Sequence, residues 1–340
     1  MKITLYVGAV ALGIVGNFSM ACAATPKTMH PLDLPGVHAH AGFDDMAYIP
    51  ALNRIVVPGG VSGKVFLINP KNDKVSRSLR VLPPSKPQHF HDVGTTSAAY
   101  MDGYLVASDH NAQSLAVIAL DSGKVVSRVH LASGPDYVRF VKPVNQIWVT
   151  EPRAQQIQIF APNLSSTPPT LRPAGKITVK GGPESLVVDT QSGRAYTNQW
   201  KRRTLVINVR THKIIHRWKD GCRGPRGLAL APKQDLLFVG CAEGKAIALN
   251  LAHHGTVLAS ANTGKGVDII AWNPRLQHLY VPAAHSATLT VLALKNGKTL
   301  QPVNVLKAAR GSHCVATDGV STAYVCDPRN GRLLVYHDGR

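Results

Sequence analysis

The sequence predicts an all-β fold, a seven-bladed β-propeller built from four-stranded antiparallel blades. Three observations support this prediction. A strand motif returns at intervals of 42 to 50 residues, every copy has similar flanking strands, and the chain ends one strand short of a complete last copy. A period of this size is typical of propeller blades, and no segment of the repeats shows a sustained helical period.

The second strand of each repeat is the most regular element. It is a short apolar run, rich in β-branched and aromatic residues, that ends in small or polar residues. Its seven copies begin at Ile55, Leu105, Trp148, Ala195, Phe238, Tyr280 and Tyr324. The successive intervals are 50, 43, 47, 43, 42 and 44 residues, so the repeat extends through the whole chain.

One copy shows the complete unit. Residues 182–218 contain four segments with roughly alternating apolar and polar residues, ESLVVD, RAYTN, TLVINV and KIIHRW, separated by turns. An alternation with period 2 indicates strands. A Gly-Pro or another small-residue turn precedes the first strand in most copies, and only QHFHDVGTTSAAY in the second copy departs from this pattern.

The two ends of the chain predict how the ring closes. The seventh copy has three strands and then stops, whereas residues 28–37 precede the first copy and belong to no blade. We expect this N-terminal segment to supply the outer strand of the last blade. Such a closure removes an exposed sheet edge.

The first 24 residues have the features of a cleaved signal peptide. Lys2 supplies a positive start, residues 5–15 are apolar, and Ala21-Cys22-Ala23 is a small-x-small cleavage site. The alternative is a lipoprotein acylated at Cys22. We therefore expect a periplasmic or secreted protein with one propeller domain over residues 25–340 and no transmembrane segment after cleavage.

Four cysteines remain after Cys22, and an even number in an exported protein favours disulfides. Cys314 and Cys326 flank a turn at equal distances from its centre, so they should face each other across a hairpin. Cys222 and Cys241 flank a second hairpin, less symmetrically. We predict these two pairs.

The net charge of +19 comes from 38 basic and 19 acidic residues. It indicates either a solvated surface adapted to its medium or an anionic partner such as nucleic acid, acidic polysaccharide or anionic lipid. The basic residues are dense over residues 201–226, and the candidate contacts for a polyanion are Lys201, Arg202, Arg203, Arg210, Lys213 and Arg217. No zinc-finger, helix-turn-helix or aromatic RNA-binding signature accompanies them.

The strand motifs carry a resemblance to a known family. The segments AYTN, WVTE, YVPA and YVCD, with Gly-Pro turns at Gly134, Gly182 and Gly224, resemble the YVTN-type propellers that include the exported bacterial YncE-like proteins. The resemblance covers the chain after the signal peptide and implies a propeller fold. It implies little about function, because the family includes proteins reported to bind nucleic acid, and its distant relatives include lactonases and oxidoreductase domains.

Antiparallel connectivity places the start of each first strand and the end of each second strand on the same face of the disc, where propellers bind ligands. We call it the upper face. Seven of the 15 histidines fall there: His38, His40, His89, His91, His110, His285 and His313. Imidazole favours copper, zinc or iron, and it can also act as an acid or base. The alternative is that these are exposed or hydrogen-bonded residues of a basic protein.

Charged residues also follow the turns that precede the first strands. Asp136, Glu184, Asp268 and Arg226 take this position, and Asn198 ends a second strand. The carboxylates either hold calcium or another hard cation, or cap local backbone amides. The lactonase relatives hold calcium with a Glu, Asn and Asp set, which here corresponds to Glu184, Asn198 and Asp268. Arg226 favours an anionic ligand.

No nucleophile elbow, HExxH motif or CxxCH motif occurs, so the sequence identifies no catalytic residue. The leading interpretation is an exported binding protein that presents this histidine- and carboxylate-rich face to a ligand, a metal or a partner. The alternatives are a metal-dependent hydrolase, lactonase or lyase that uses the same face, and a polyanion-binding protein.

Overall fold

A computed structural model describes Met1 and residues 28–86, 93–201 and 203–339. These residues form 28 β-strands in seven four-stranded antiparallel sheets, one for each sequence repeat. The predicted fold class is therefore confirmed, including the blurred second copy.

The chain begins with β1 (His30–Asp33) and then completes one blade after another. Blade one contains β2 (Ala47–Ile49), β3 (Arg54–Pro58), β4 (Lys64–Asn69) and β5 (Lys74–Arg80). Blade two contains β6 (Ala98–Met101), β7 (Tyr104–Asp109), β8 (Ser114–Ala119) and β9 (Val125–His130). Blade three contains β10 (Val138–Val141), β11 (Gln146–Glu151), β12 (Gln156–Asn163) and β13 (Thr170–Thr178). Blade four contains β14 (Glu184–Asp189), β15 (Arg194–Gln199), β16 (Arg203–Asn208) and β17 (Lys213–Trp218).

Blade five contains β18 (Pro225–Ala231), β19 (Leu236–Cys241), β20 (Lys245–Asn250) and β21 (Thr256–Asn262). Blade six contains β22 (Ala271–Asn273), β23 (His278–Ala283), β24 (Thr288–Lys295) and β25 (Thr299–Lys307). Blade seven has β26 (Val315–Thr317), β27 (Thr322–Asp327) and β28 (Arg332–His337). Short 3-10 helices, each with a proline at its first or second position, follow the first strands of blades one, three and five: Pro50–Leu52, Lys142–Val144 and Pro232–Gln234.

The N-terminal strand completes the last blade, as the sequence predicts. The order in this sheet is β1-β28-β27-β26, and His30 to Asp33 pair antiparallel with Val335 to Arg332. Contacts between β2 and β26 close the inner ring of first strands. Blade seven thus combines both ends of the chain.

Large aromatic residues of the second strands fill the spaces between blades. Trp148, Tyr196, Tyr280 and Tyr324 occupy the same position of the repeat and are fully buried. The Tyr280 hydroxyl donates a hydrogen bond to Asp338 in blade seven, and the Tyr324 hydroxyl donates one to Asp73 in blade one. Burial raises the pKa of both tyrosines, so their hydroxyls remain donors and link blade seven to its two neighbours.

The two predicted disulfides are present. Cys222 pairs with Cys241 and Cys314 with Cys326, each with a Cα–Cα distance of 5.5 Å. The second pair lies across the hairpin of β26 and β27, next to the paired residues Val315 and Val325. Disulfides are typical of oxidising compartments, which agrees with export.

Signal cleavage and the lipoprotein alternative concern residues outside the described part of the chain. Within the described part, no helix has the length and apolarity needed to cross a membrane.

The closure predicts a stability effect at Leu34, which follows β1. Leu34 is 3% exposed and packs in the cluster that contains Leu333 and Val335 of β28. Leu34→Ala should lower the free energy of unfolding by about 2–5 kcal/mol, because it leaves a cavity at the junction of the two chain ends. Leu164→Ala, in an exposed turn, is the matched control and should change it by about 0.5 kcal/mol or less. Chemical denaturation measures both, and equal stabilities of the two variants would argue against closure through this segment.

Candidate functional site

The upper face holds two adjacent cavities. The first, which we call the acid cavity, has a volume of about 310 Å³ and is lined chiefly by Asp44, Asp136, Arg153, Glu184, Trp200, Arg226 and Asp268. The second, which we call the basic cavity, has a volume of about 770 Å³ and is lined chiefly by His40, Arg226, His285, Arg310, His313 and Arg329. Arg226 and Asp268 belong to both linings, so the two cavities are contiguous.

The acid cavity brings together carboxylates from four blades. Asp44, Asp136 and Asp268 lie just before the first strands of blades one, three and six, and Glu184 begins that of blade four. Their combined field acts on Tyr137 in the cavity wall. Burial raises the pKa of Tyr137 well above its usual value, and the charges of Asp268, Asp136 and Asp44 raise it further. Two arginines, Arg153 and Arg226, also line this cavity, so its formal excess is two negative charges when all four carboxylates are ionised.

The carboxyl group of Glu184 has a strongly raised pKa. Burial, together with the nearby charge of Asp268, raises its pKa to about 7, although Arg226 and a hydrogen bond from Trp200 oppose the shift. The indole Nε1–H of Trp200 donates this bond to the Glu184 carboxylate. A carboxyl group poised near neutral pH in a cleft is a frequent property of binding and catalytic sites.

Local irregularities of the first strands place Glu184 and Arg226. The register of β14 with β15 shifts after Glu184, and that of β18 with β19 shifts after Pro225. Such bulges redirect side chains next to binding sites. In blade four the bulge includes Ser185, whose φ of 62° lies in the left-handed region. Alternation alone would not place these residues, because each bulge changes which side chain faces the channel.

Asn198, which the sequence suggested as a ligand, is fully buried. Its Nδ2 donates to the carbonyl oxygen of Arg226 at 2.6 Å, and its Oδ1 accepts from the Thr204 hydroxyl at 2.8 Å. Asn198 therefore holds the Arg226 bulge from below rather than lining either cavity.

Below the acid cavity, an ion pair crosses the channel. The Arg139 guanidinium contacts both oxygens of Asp45, at 2.5 and 2.9 Å, and its Nε donates to the carbonyl oxygen of Leu186 at 2.9 Å. Ser97 also donates to Asp45, at 2.6 Å. These contacts join blades one to four and occupy Asp45, whereas its neighbour Asp44 lines the cavity.

The five candidate histidines in the described part of the chain do not form a single cluster. His40, His285 and His313 line the basic cavity, and His110 lines the acid cavity, where its ring packs against Gly134. His38 is exposed and lines neither of these two cavities. His89 and His91 lie outside the described residues.

Potential metal ligands are close together at two places in the described part of the chain. Groups of three ligand atoms within 4.8 Å of one another are His313 with Cys314 and Cys326, and Cys222 and Cys241 with Glu243. In both groups the sulfurs are disulfide-bonded. Neither the histidines by themselves nor the four carboxylates form such a group among the described residues.

The candidate polyanion contacts do not form one patch. Lys201 and Arg203 lie at the upper face, whereas Arg210 and Lys213 flank the turn between β16 and β17 at the opposite, lower face. Arg217 is exposed on the outer strand β17, and Arg202 is outside the described residues. The basic run is therefore spread from one face of blade four to the other.

Sequence reasoning on the site missed Arg310, Arg329 and Tyr137. The arginines lie in loops at the upper face whose lengths and residues vary between repeats. A search of every upper loop for charge, rather than for histidine and carboxylate alone, would have found them.

No protein-family model matches this sequence, and no curated protein matches it significantly. Solved structures do match. A chain in a crystal structure of the mitotic checkpoint complex has a TM-score of 0.73 and 13% identity, with 98% of this chain and 99% of that chain covered. Hydrazine synthase of Kuenenia stuttgartiensis has a TM-score of 0.69 and 11% identity, with 91% of this chain and 97% of that chain covered.

The β-propeller domain of Cps50 (Swd1) from Myceliophteria thermophila has a TM-score of 0.67 and 13% identity, with 90% of this chain and 99% of that chain covered. At such identities the likeness shows the fold alone, and a propeller fold is compatible with a binding or scaffolding role. Membership in the YVTN-type family stays a prediction.

The raised pKa of Glu184 predicts a pH-dependent change in stability. The folded-state pKa of about 7 lies above the usual value of 4.5, so the native state holds the proton more tightly than the unfolded chain. Glu184 therefore costs stability as pH rises from about 4.5, and the cost is complete above about 7. Glu184→Gln should raise the free energy of unfolding relative to the wild type, and this gain should be larger at pH 8 than at pH 5 by about 3 kcal/mol at most.

Glu243→Gln is the control with the opposite sign. Burial acts to raise the pKa of Glu243, but the backbone N–H groups of Arg223 and Gly224 hold it below its usual value. This variant should lose stability near pH 7 and little at low pH. Denaturant titrations at pH 5 and pH 8 for Glu184→Gln, and at pH 3 and pH 7 for Glu243→Gln, measure these effects. A pH-independent effect of Glu184→Gln would mean that this carboxyl group titrates normally.

Proposed function

We propose that this protein is an exported binding protein that takes an organic cation, an amine or a quaternary ammonium group, into the acid cavity. The observation that supports it best is the convergence of four carboxylates from four blades on one cavity, with the pKa of Glu184 raised to about 7. A cation placed there relieves the mutual repulsion of these groups and favours ionised Glu184.

An organic cation suits the geometry better than a bare metal ion. No three carboxylate groups of the described residues offer oxygen atoms within 4.8 Å of one another, so the four carboxylates do not form a ready-made coordination shell. Trp200 stands at its wall, 39% exposed, with its Nε1–H bonded to Glu184. An indole beside carboxylates is a favourable environment for an ammonium group. The cavity volume is near the lower end of the range for small-molecule sites.

Binding of methylammonium and tetramethylammonium, measured by isothermal titration calorimetry, tests this proposal. Affinity should rise between pH 5.5 and pH 8, because cation binding displaces the proton of Glu184. Glu184→Gln should lower the affinity at pH 8 by about tenfold and flatten the pH dependence. Trp200→Ala should weaken tetramethylammonium binding, with a smaller effect for Trp200→Phe.

Asp121→Asn is the matched control, since it removes one exposed carboxylate in a turn on the lower face. It should leave the affinity unchanged. Equal losses in Asp121→Asn and Glu184→Gln would indicate a nonspecific effect of charge. Calcium chloride that binds and displaces methylammonium would identify a metal ion as the occupant and overturn the organic-cation assignment.

A second candidate function is hydrolysis of esters or lactones with Glu184 as general acid or base. Its pKa of about 7 favours this role, because a proton-transfer group works best near the ambient pH. Chromogenic esters and lactones should then be cleaved with a rate that changes around pH 7, and Glu184→Gln should abolish this cleavage. A rate equal to that of buffer would exclude this candidate for the tested substrates.

A further inference from the structure

The basic cavity has the opposite charge to its neighbour. Three arginines line it, Arg226, Arg310 and Arg329, and Asp268 is the one carboxylate among its lining residues in the described chain. Arginine remains charged at any physiological pH, so the formal balance is three positive charges to one negative, before any histidine is protonated. By the same count, the acid cavity alongside has four carboxylates to two arginines, Arg153 and Arg226.

The arginines come from three separate segments, one strand bulge and two loops. Arg226 lies in the bulge of blade five, Arg310 in the connection from β25 to β26, and Arg329 in the turn between β27 and β28. Arg310 and Arg329 are exposed, so their guanidinium groups are accessible to a ligand.

Glycines allow close packing at the wall of the cavity. Gly266 and Gly311 line the cavity with φ of 80° and 90°. A Cβ atom at Gly266 would lie 2.8 Å from Cγ of His285, so a larger residue there would displace this ring. Nδ1–H of His313 donates to the carbonyl oxygen of Gly311 at 2.7 Å, which fixes that ring at the cavity wall.

We infer that the basic cavity is a subsite for an anionic group, a carboxylate or a phosphate, held by Arg310 and Arg329 with Arg226 at its inner edge. Guanidinium groups bind both kinds of oxyanion through paired hydrogen bonds. Because Arg226 and Asp268 line both cavities, one molecule can occupy both. The ligand of this face is therefore dipolar, with an ammonium group in the acid cavity and an anion in the basic cavity. The ammonium half of this inference rests on the proposed function, whereas the anion subsite stands by itself.

The anion subsite is tested with acetate and inorganic phosphate in separate calorimetric titrations at low ionic strength. The double variant Arg310→Gln/Arg329→Gln should bind the preferred anion about tenfold or more weakly than the wild type. The control Arg210→Gln/Arg275→Gln removes two exposed arginines from the lower face and should bind like the wild type. The tighter of the two anions identifies a carboxylate or a phosphate as the natural group. Equal losses in the two double variants, or no binding of either anion to the wild type, would overturn the subsite.

A series of ω-amino acids with two to eight carbons tests the dipolar ligand. The ω-amino acid of matching length should bind at least about tenfold more tightly than methylammonium or acetate, because binding of its second charged group is intramolecular once the first is bound. This gain should be lost both in Glu184→Gln and in Arg310→Gln/Arg329→Gln. If acetate or phosphate binds as expected but methylammonium does not, the proposed function fails and the anion subsite stands. If both simple ions bind but no ω-amino acid exceeds them, the two cavities serve separate ligands and the dipolar assignment is wrong.

Discussion

The whole structure depends on closure of the ring. Each blade is a sheet whose two apolar faces must be covered by neighbours, so an open row of blades would leave two faces in water. Here the two ends of the chain share blade seven, where β1 pairs with β28. Hydrogen bonds from Tyr280 to Asp338 and from Tyr324 to Asp73 join this blade to those on either side. These contacts satisfy the buried carboxylate of Asp338 and the half-buried carboxylate of Asp73, and they hold the closing blade in place.

Closure also produces the chemistry of the upper face. It directs the first strands of all blades toward one axis, so turns that are far apart in the sequence meet at the mouth of the channel. Asp45 and Arg139 neutralise each other inside the channel, whereas Asp44, Asp136, Glu184 and Asp268 lie above them around a cavity. A fold that keeps the pKa of Glu184 near 7 gives up some stability at neutral pH, and a bound cation would restore it.

The fold could be predicted because blade packing leaves a repeated mark in the sequence. The spacing of apolar segments and cysteines predicts the second strand of each blade, the order of the blades around the ring and both disulfides. The site could be predicted only in part. The direction of the strands predicts the face of the disc on which the site lies. A cavity on that face is lined by four of the predicted residues, Asp136, Glu184, Arg226 and Asp268. Of the described candidate histidines, four line the two cavities and His38 lines neither, and Asn198 turns inward to the Arg226 carbonyl. A bulge of one residue reverses which side chain of a strand faces the channel, so alternation alone does not place Glu184 and Arg226.

The sequence by itself determined the number of blades, the strand that closes the ring and the face on which polar groups gather, because these depend on local periodicity and chain direction. Only the tertiary structure decided which charges meet. The separation of an acid cavity from a basic one depends on bulges at Glu184 and Arg226, on loops of unequal length and on contacts between residues from different blades. Such relations arise when the ring closes, since the side chains concerned lie tens or hundreds of residues apart in the sequence.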